Sequence, residues 1–238
     1  MIGRAATCRA GHRIGRGFTM MEVLIAMGLL SLIGATLYGA IGNSINAKEQ
    51  IELISDRYDE VRIALNRMAY ELSMAYLSDH YNREERRTKT LFREDSEGVG
   101  DRLIFTSFSH VRRVRDARES DQNVLTYWVD TDPDEPAQNA LLRKEKPRID
   151  ERTGDDLLEE DAHTDVLCGN VRNLTFDYWN ETDKEWQEEW DSDSLENSNK
   201  LPPRVRVRLA IVGENGRDQV FETQAEIVLR VPVKLSTN

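Results

Sequence analysis

The chain's 238 residues suffice for one membrane-spanning helix and one medium-sized domain with its own core. Its net charge of -11, from 43 acids against 32 Lys and Arg, argues against a nucleic-acid-binding role. Four arginines (Arg4, Arg9, Arg13, Arg16) and no acid fall in the first 17 residues, so without them the chain would carry about -15.

After this basic stretch come Gly17, Phe18, Thr19, Met20, Met21 and Glu22. From Val23 to Ala47 there is no charged side chain. At about 1.5 Å of rise per residue, that run crosses a hydrocarbon core of about 30 Å as a helix. The basic leader should stay cytoplasmic and the C-terminal bulk should lie across the membrane. A secretory signal would place its cleavage site after the apolar run; here the Gly precedes it. Glu22 stands at the mouth of the span, where a carboxylate is expensive and marks a function or a partner.

Residues 16–26 resemble the processing site of type IV prepilins and type II secretion pseudopilins: a Gly, then Phe, then Glu at the fifth position, then a membrane helix. The resemblance implies cleavage after Gly17 by a prepilin peptidase and N-methylation of the new Phe18 amine. It also implies an assembly role for Glu22, whose carboxylate pairs with the terminal amine of a neighbouring subunit. An ordinary single-span anchor is the plain alternative.

Beyond Lys48, the residues Ile51, Ile54, Tyr58, Val61, Leu65, Met68, Leu72 and Ala75 recur at alternating spacings of three and four. They form one apolar stripe. No Pro interrupts 18–77, so a helix is expected over about 19–77, loosened near Gly39, Gly42 and Asn43. The stripe suits a coiled coil or, preferably, packing on the chain's own sheet, which needs a cover. Residues 65–72 are similar to an Arg-Met…acid-Leu stretch of J-type minor pseudopilins.

The charged segment 82–89 reads as a solvated loop. Strands are expected at 102–109, 124–129, 140–143, 166–168 and 173–179, with an acidic turn at 130–136 and acidic or polar loops at 150–161 and 191–200. The segment 185–190 reads as a strand edge or a helical turn. The clearest hairpin pairs Arg204, Val205, Arg206, Val207, Arg208, Leu209 and Ile211 with an alternating run over 221–231. Keeping its apolar faces together puts Arg208 opposite Glu222 and Arg204 opposite Glu226.

The fold class is therefore α+β: a long N-terminal helix packed on an antiparallel β-sheet head. The expected organisation is a leader over 1–17, a membrane and assembly helix over 18–47, a periplasmic helical part over 48–81 and a β-rich head over 82–238. Cys8 lies in the leader, which leaves Cys168 alone after processing and buried by its usual tendency. Trp186 and Trp190, set among acids, suit a partner surface or local packing.

No catalytic residue, cofactor or metal site is expected. His12, His80, His110 and His163 show no ligand spacing, and Asp130-x-Asp132-x-Asp134 lacks the Gly and Glu of a calcium loop. The order of Trp179, Trp186, Trp190, Leu201-Pro202-Pro203 and a long hairpin is similar to J-type minor pseudopilins. That resemblance implies a tip-complex role with I-, K- and H-type minor pseudopilins and the major pseudopilin, at the inner membrane of a Gram-negative cell with the head in the periplasm. The rivals are a minor pilin of a type IV pilus and, from another class, a membrane-anchored periplasmic binding protein or enzyme.

Overall fold

The computed structural model describes residues 17–79, 81–82, 87–88, 90–95, 99–112, 120–147, 149, 162–213 and 216–234. The chain divides into two compact units, Met1–Ser55 and Asp56–Asn238. A single helix, α1 (Met20–Ser73), passes from the first into the second.

Within the first unit α1 runs through Gly39 and Gly42 without a break. Its apolar side chains, Leu24 and Leu30 among them, point outward. It is long and apolar enough to cross a membrane, where an apolar surround replaces the missing protein core.

In the second unit the predicted stripe becomes the helix's buried face. Val61, Leu65, Met68 and Leu72, joined by Ala64, enter the core. The stripe therefore packs on the chain's own sheets within this unit. The helix ends at Ser73, four residues short of the expected 77, and Ala75 is buried beyond it with a bridge to Ser107.

The head holds two larger sheets where one was expected. Strands β3 (Phe92–Asp95), β4 (Arg102–Ser107), β5 (Asn123–Thr131), β6 (Asn139–Lys146) and β7 (His163–Cys168) form an antiparallel sheet in chain order. Strands β8 (Val171–Asn180), β9 (Glu185–Gln187), β10 (Arg204–Val212) and β11 (Asp218–Glu226) form a second, ordered β11-β10-β8-β9. The division falls at Gly169 and Asn170. Asn170 takes φ 55°, a left-handed turn that Asn tolerates, and the chain leaves one sheet and starts the other. Phe105, Leu125, Tyr127 and Leu141 from the first sheet share one core with Leu174, Phe176, Val207 and Leu209 from the second.

The segment read as a loop contains a small ribbon, β1 (Tyr81–Asn82) with β2 (Arg87–Thr88). The acidic loop expected at 150–161 lies outside the described residues. The β10–β11 hairpin has the expected register: Arg204 faces Glu226, Arg208 faces Glu222 and Leu209 faces Phe221. It is shorter than expected, ending at Glu226. There the Ile227 amide turns to the Pro203 carbonyl at 3.1 Å and Ile227 drops into the core, so Leu229 and Val231 lie outside the strand.

Candidate functional site

The processing junction is built by a local motif. Thr19 precedes the helix, and its Oγ1 accepts the Glu22 amide at 3.3 Å. In return the Thr19 amide and hydroxyl both donate to Glu22 Oε2 at 3.3 Å. This is a reciprocal capping box, Thr-x-x-Glu, which satisfies helix-end donors that lipid would leave bare. Glu22 therefore has a partner in its own chain, which the sequence reading did not assign although the pattern Thr19-Met20-Met21-Glu22 carries the signature. Phe18, Glu22, Ala26 and Leu30 line the same hollow on one face of the segment.

In the head, the last turns of α1 meet the five-stranded sheet through a buried charge network. The Arg143 guanidinium donates to Glu71 from Nη2 at 2.7 Å and from Nε at 3.0 Å. The same Nη2 reaches Glu145 at 2.8 Å, and Nη1 lies 3.5 Å from Asp165. Tyr127 donates its hydroxyl to Glu71, and Arg67 donates to Glu71 from one turn away. Glu145 in turn accepts from Asn123 at 2.8 Å and meets His110 Nδ1 at 2.8 Å. Burial alone would lower the Arg143 pKa, but its bonds and proximity to Glu71 hold it raised. Burial pushes Glu145 up, yet hydrogen bonds from His110, Asn123 and Arg143 bring it down to about 2.

In the sequence, Arg67 and Glu71 stand out only as part of the resembling stretch at 65–72, and no local pattern marks Arg143, whose partner lies 72 positions away.

Of the two flagged tryptophans, Trp190 is buried, its ring tilted against that of Tyr178, with its indole donating to the Lys200 carbonyl at 3.1 Å. Its ring packs within the head. Trp186 is half-buried, edge-on to Trp179 and covered by the Arg206 guanidinium 4.0 Å from its centroid. Cys168 is buried, and burial pushes its thiol up to about 12. In the acidic turn, Asp132 Oδ1 accepts the amides of Asp134 and Glu135, so that carboxylate folds the turn. Among the described residues, no group of three or more His, Cys, Asp or Glu is placed to hold a metal ion. His110 and His163 are engaged by Glu145 and Asp165, and His80 lies outside the described residues.

A processing-type junction, an apolar span and an α+β head together define a pilin-like protein with an N-terminal anchor helix. Comparison with known families narrows this. The family "Type II secretion system (T2SS), protein J" matches residues 39–223, and the "Prokaryotic N-terminal methylation motif" matches residues 13–38. The chain belongs to the type II secretion system protein J family and is a minor pseudopilin, which decides against the type IV pilus rival. No curated protein sequence matches it. Among solved structures it is similar to a chain in the crystal structure of the GspK-GspI-GspJ complex from the enterotoxigenic Escherichia coli type 2 secretion system. Identity is 13%, with a TM-score of 0.49, covering 74% of this chain and 99% of that one.

Proposed function

We propose that this protein is a structural subunit of the pseudopilus tip, anchored in the inner membrane by its first unit with its head in the periplasm. It acts by assembly, without catalysis of its own. A prepilin peptidase cuts after Gly17 and methylates the Phe18 amine. The matured chain then joins I-, K- and H-type minor pseudopilins and the major pseudopilin, primes filament growth and so supports export across the outer membrane.

The observation that carries the mechanism is the placement of Glu22 on one face with Phe18, held by Thr19. Before cleavage Phe18 contributes an uncharged amide, and the capping box is the partner that Glu22 has. Cleavage creates a cation one helical turn away. A carboxylate at the edge of lipid gains more from a full positive charge than from neutral donors. Glu22 then exchanges its local cap for the Phe18 amine of a neighbouring subunit.

The test is Glu22→Ala in cells that secrete through this system. Cleavage and head folding should be unchanged, and recovery of the other minor pseudopilins with this chain from membranes should fall, along with secretion. Unchanged co-purification and secretion would remove the pairing role. Assembled protein that still carries Arg4 to Gly17 would remove the processing reading itself.

A further inference from the structure

The second sheet ends at β11, and that edge is open. Antiparallel neighbours exchange backbone bonds at every other pair. The Gly213 amide donates to the Arg217 carbonyl at 2.9 Å and the Ile227 amide to the Pro203 carbonyl at 3.1 Å, so the odd-numbered residues of β11 bond to β10. The even-numbered ones turn their amides and carbonyls outward. At Val228 the outward amide meets the Ser73 carbonyl at 3.2 Å, where the end of α1 closes the edge. Among the described residues, no group bonds the outward backbone of Val220, Glu222 or Gln224.

The opposite edge of the same sheet is guarded. Strand β9 has three residues, and where β8 runs past it Asp101 accepts the Phe176 amide at 2.8 Å and gives its own amide to the Leu174 carbonyl at 2.9 Å. Proteins protect exposed edges with lysine, proline, bulges or short strands. Strand β11 has nine residues, holds no Lys or Pro, and pairs with β10 without a register shift. Its Val220 is 62% exposed. A backbone ladder left in that state is a template for one more strand.

The side chains around the edge state what that strand must carry. On the outer face of the sheet, charge alternates from strand to strand. Asp177 on β8 is followed by Arg204, Arg206 and Arg208 on β10, and these by Asp218, Glu222 and Glu226 on β11. The next column in this order is cationic, at every fourth residue. On the inner face, Phe221 meets Tyr58 of α1 with ring centroids 5.7 Å apart, and the Tyr58 hydroxyl donates to Gln219 at 2.9 Å. Tyr58 is 39% exposed, so alternate apolar residues of an added strand would finish covering this aromatic shelf. A second copy does not fit. Full antiparallel overlap of two β11 strands sets Glu222 against itself and Asp218 against Glu226.

We propose that β11 is a docking edge for an extended segment of a protein partner. The segment adds a fifth strand, with Lys or Arg along the acidic column and apolar residues over Phe221 and Tyr58. Main-chain bonds hold it, and the two side-chain columns select it. The edge lies wholly within the head, so the inference does not depend on the tip-complex reading.

The test is fluorescence anisotropy with the full chain in neutral detergent micelles, empty micelles as blank, and a fluorescein-labelled Lys-Val-Thr-Val-Lys-Val-Thr-Val-Lys peptide. Saturable binding is expected. N-methylation of both Thr residues, whose amides would face β11, should weaken it by about tenfold or more. N-methylation of two Val residues, whose amides would face away, should not. Glu in place of each Lys should abolish binding. In the protein, Gln224→Pro removes an outward amide without touching a bond to β10 and should weaken binding by about tenfold. Glu222→Lys should weaken it as well, and Glu181→Lys, at an exposed acid in the β8–β9 turn, should not. Circular dichroism confirms that each variant is folded. No saturable binding, equal losses from the two methylation patterns, or undiminished binding to the Gln224→Pro variant would overturn the proposal. So would self-association of the parent chain that Gln224→Pro abolishes, which would make a second copy the occupant.

Discussion

The Arg143 guanidinium and the Glu71 carboxylate meet at 2.7 Å with side-chain exposures of 1% and 5%, one from β6 and the other from the last turns of α1. Such a pair contributes little net stability over an apolar replacement, because both charges lose their water. Removing one partner is different, since it strands the other. Arg143→Ala should destabilise the head by about 3–5 kcal/mol, measured by urea denaturation of the full chain in micelles. Replacing both, with Arg143→Met and Glu71→Leu, should cost less than Arg143→Ala alone. A double variant as unstable as the sum of its single variants would show that the two residues do not act as a pair.

The same network sets an acid limit. Glu145 has a folded pKa of about 2, below the ordinary Glu value near 4.3. Its depressed pKa contributes stability that is present above about 4.3 and is lost as pH falls toward 2. Unfolding midpoints should therefore drop across that window, and Glu145→Gln should flatten this part of the profile. Glu94 has the opposite sign. Its raised pKa means that the folded state disfavours the charge, so Glu94→Gln should stabilise the head at pH 8 and have little effect at pH 4. Denaturation midpoints at the two pH values check both statements.

Gly100 is fixed by its backbone. It takes φ +86°, and a Cβ there would stand 2.5 Å from Asn173 Oδ1 and 2.6 Å from the Leu174 carbonyl. The Asp101 amide also bonds that carbonyl at 2.9 Å, so the neighbouring backbone has little room to move. Gly100→Ala should cost more than about 1–2 kcal/mol, the usual left-handed penalty, with the clash added. Stability within 0.5 kcal/mol of the parent, an order-of-magnitude threshold for a neutral surface change, would contradict this geometry.

The elements legible in the sequence were those with strong local patterns. Arg208 faces Glu222, and Leu209 faces Phe221, because strict alternation across a short loop leaves one register that keeps both apolar faces together. Val61, Leu65, Met68 and Leu72 announced a helix face by the same kind of regularity. Strand β3 was hidden because Phe92 is followed by Arg93, Glu94 and Asp95, three charges on an edge strand whose pairing comes from β4 and the Trp190 loop. Strand β6 runs on to Lys146 through Lys144 and Glu145, past the expected end at Arg143, because charged residues carry no apolar alternation. The division into two sheets turns on the left-handed Asn170, a conformation no periodicity signals. Glu71 and Arg143 are joined only by the tertiary fold, so neither residue's neighbours announce the pair.

Cys168 offers the last prediction and a means of watching the head open. It is 3% exposed, and burial pushes its thiol up to about 12. The proposed processing after Gly17 would remove Cys8 and leave Cys168 as the sole thiol. Alkylation proceeds through the thiolate, which at pH 8 would be only about one part in ten thousand of a thiol with that pKa. Access is blocked as well, because the side chain lies in the core with Leu141 and Val171. Iodoacetamide should therefore leave native protein unmodified over hours and label it fully in denaturant, read as a single mass shift. The slow native labelling then reports the population of opened head. Arg143→Ala should accelerate it roughly a hundredfold or more, the factor that a loss of about 3–5 kcal/mol implies. Rapid labelling of the native parent protein would place Cys168 at an accessible surface and contradict the packing of the core at the junction of the two sheets.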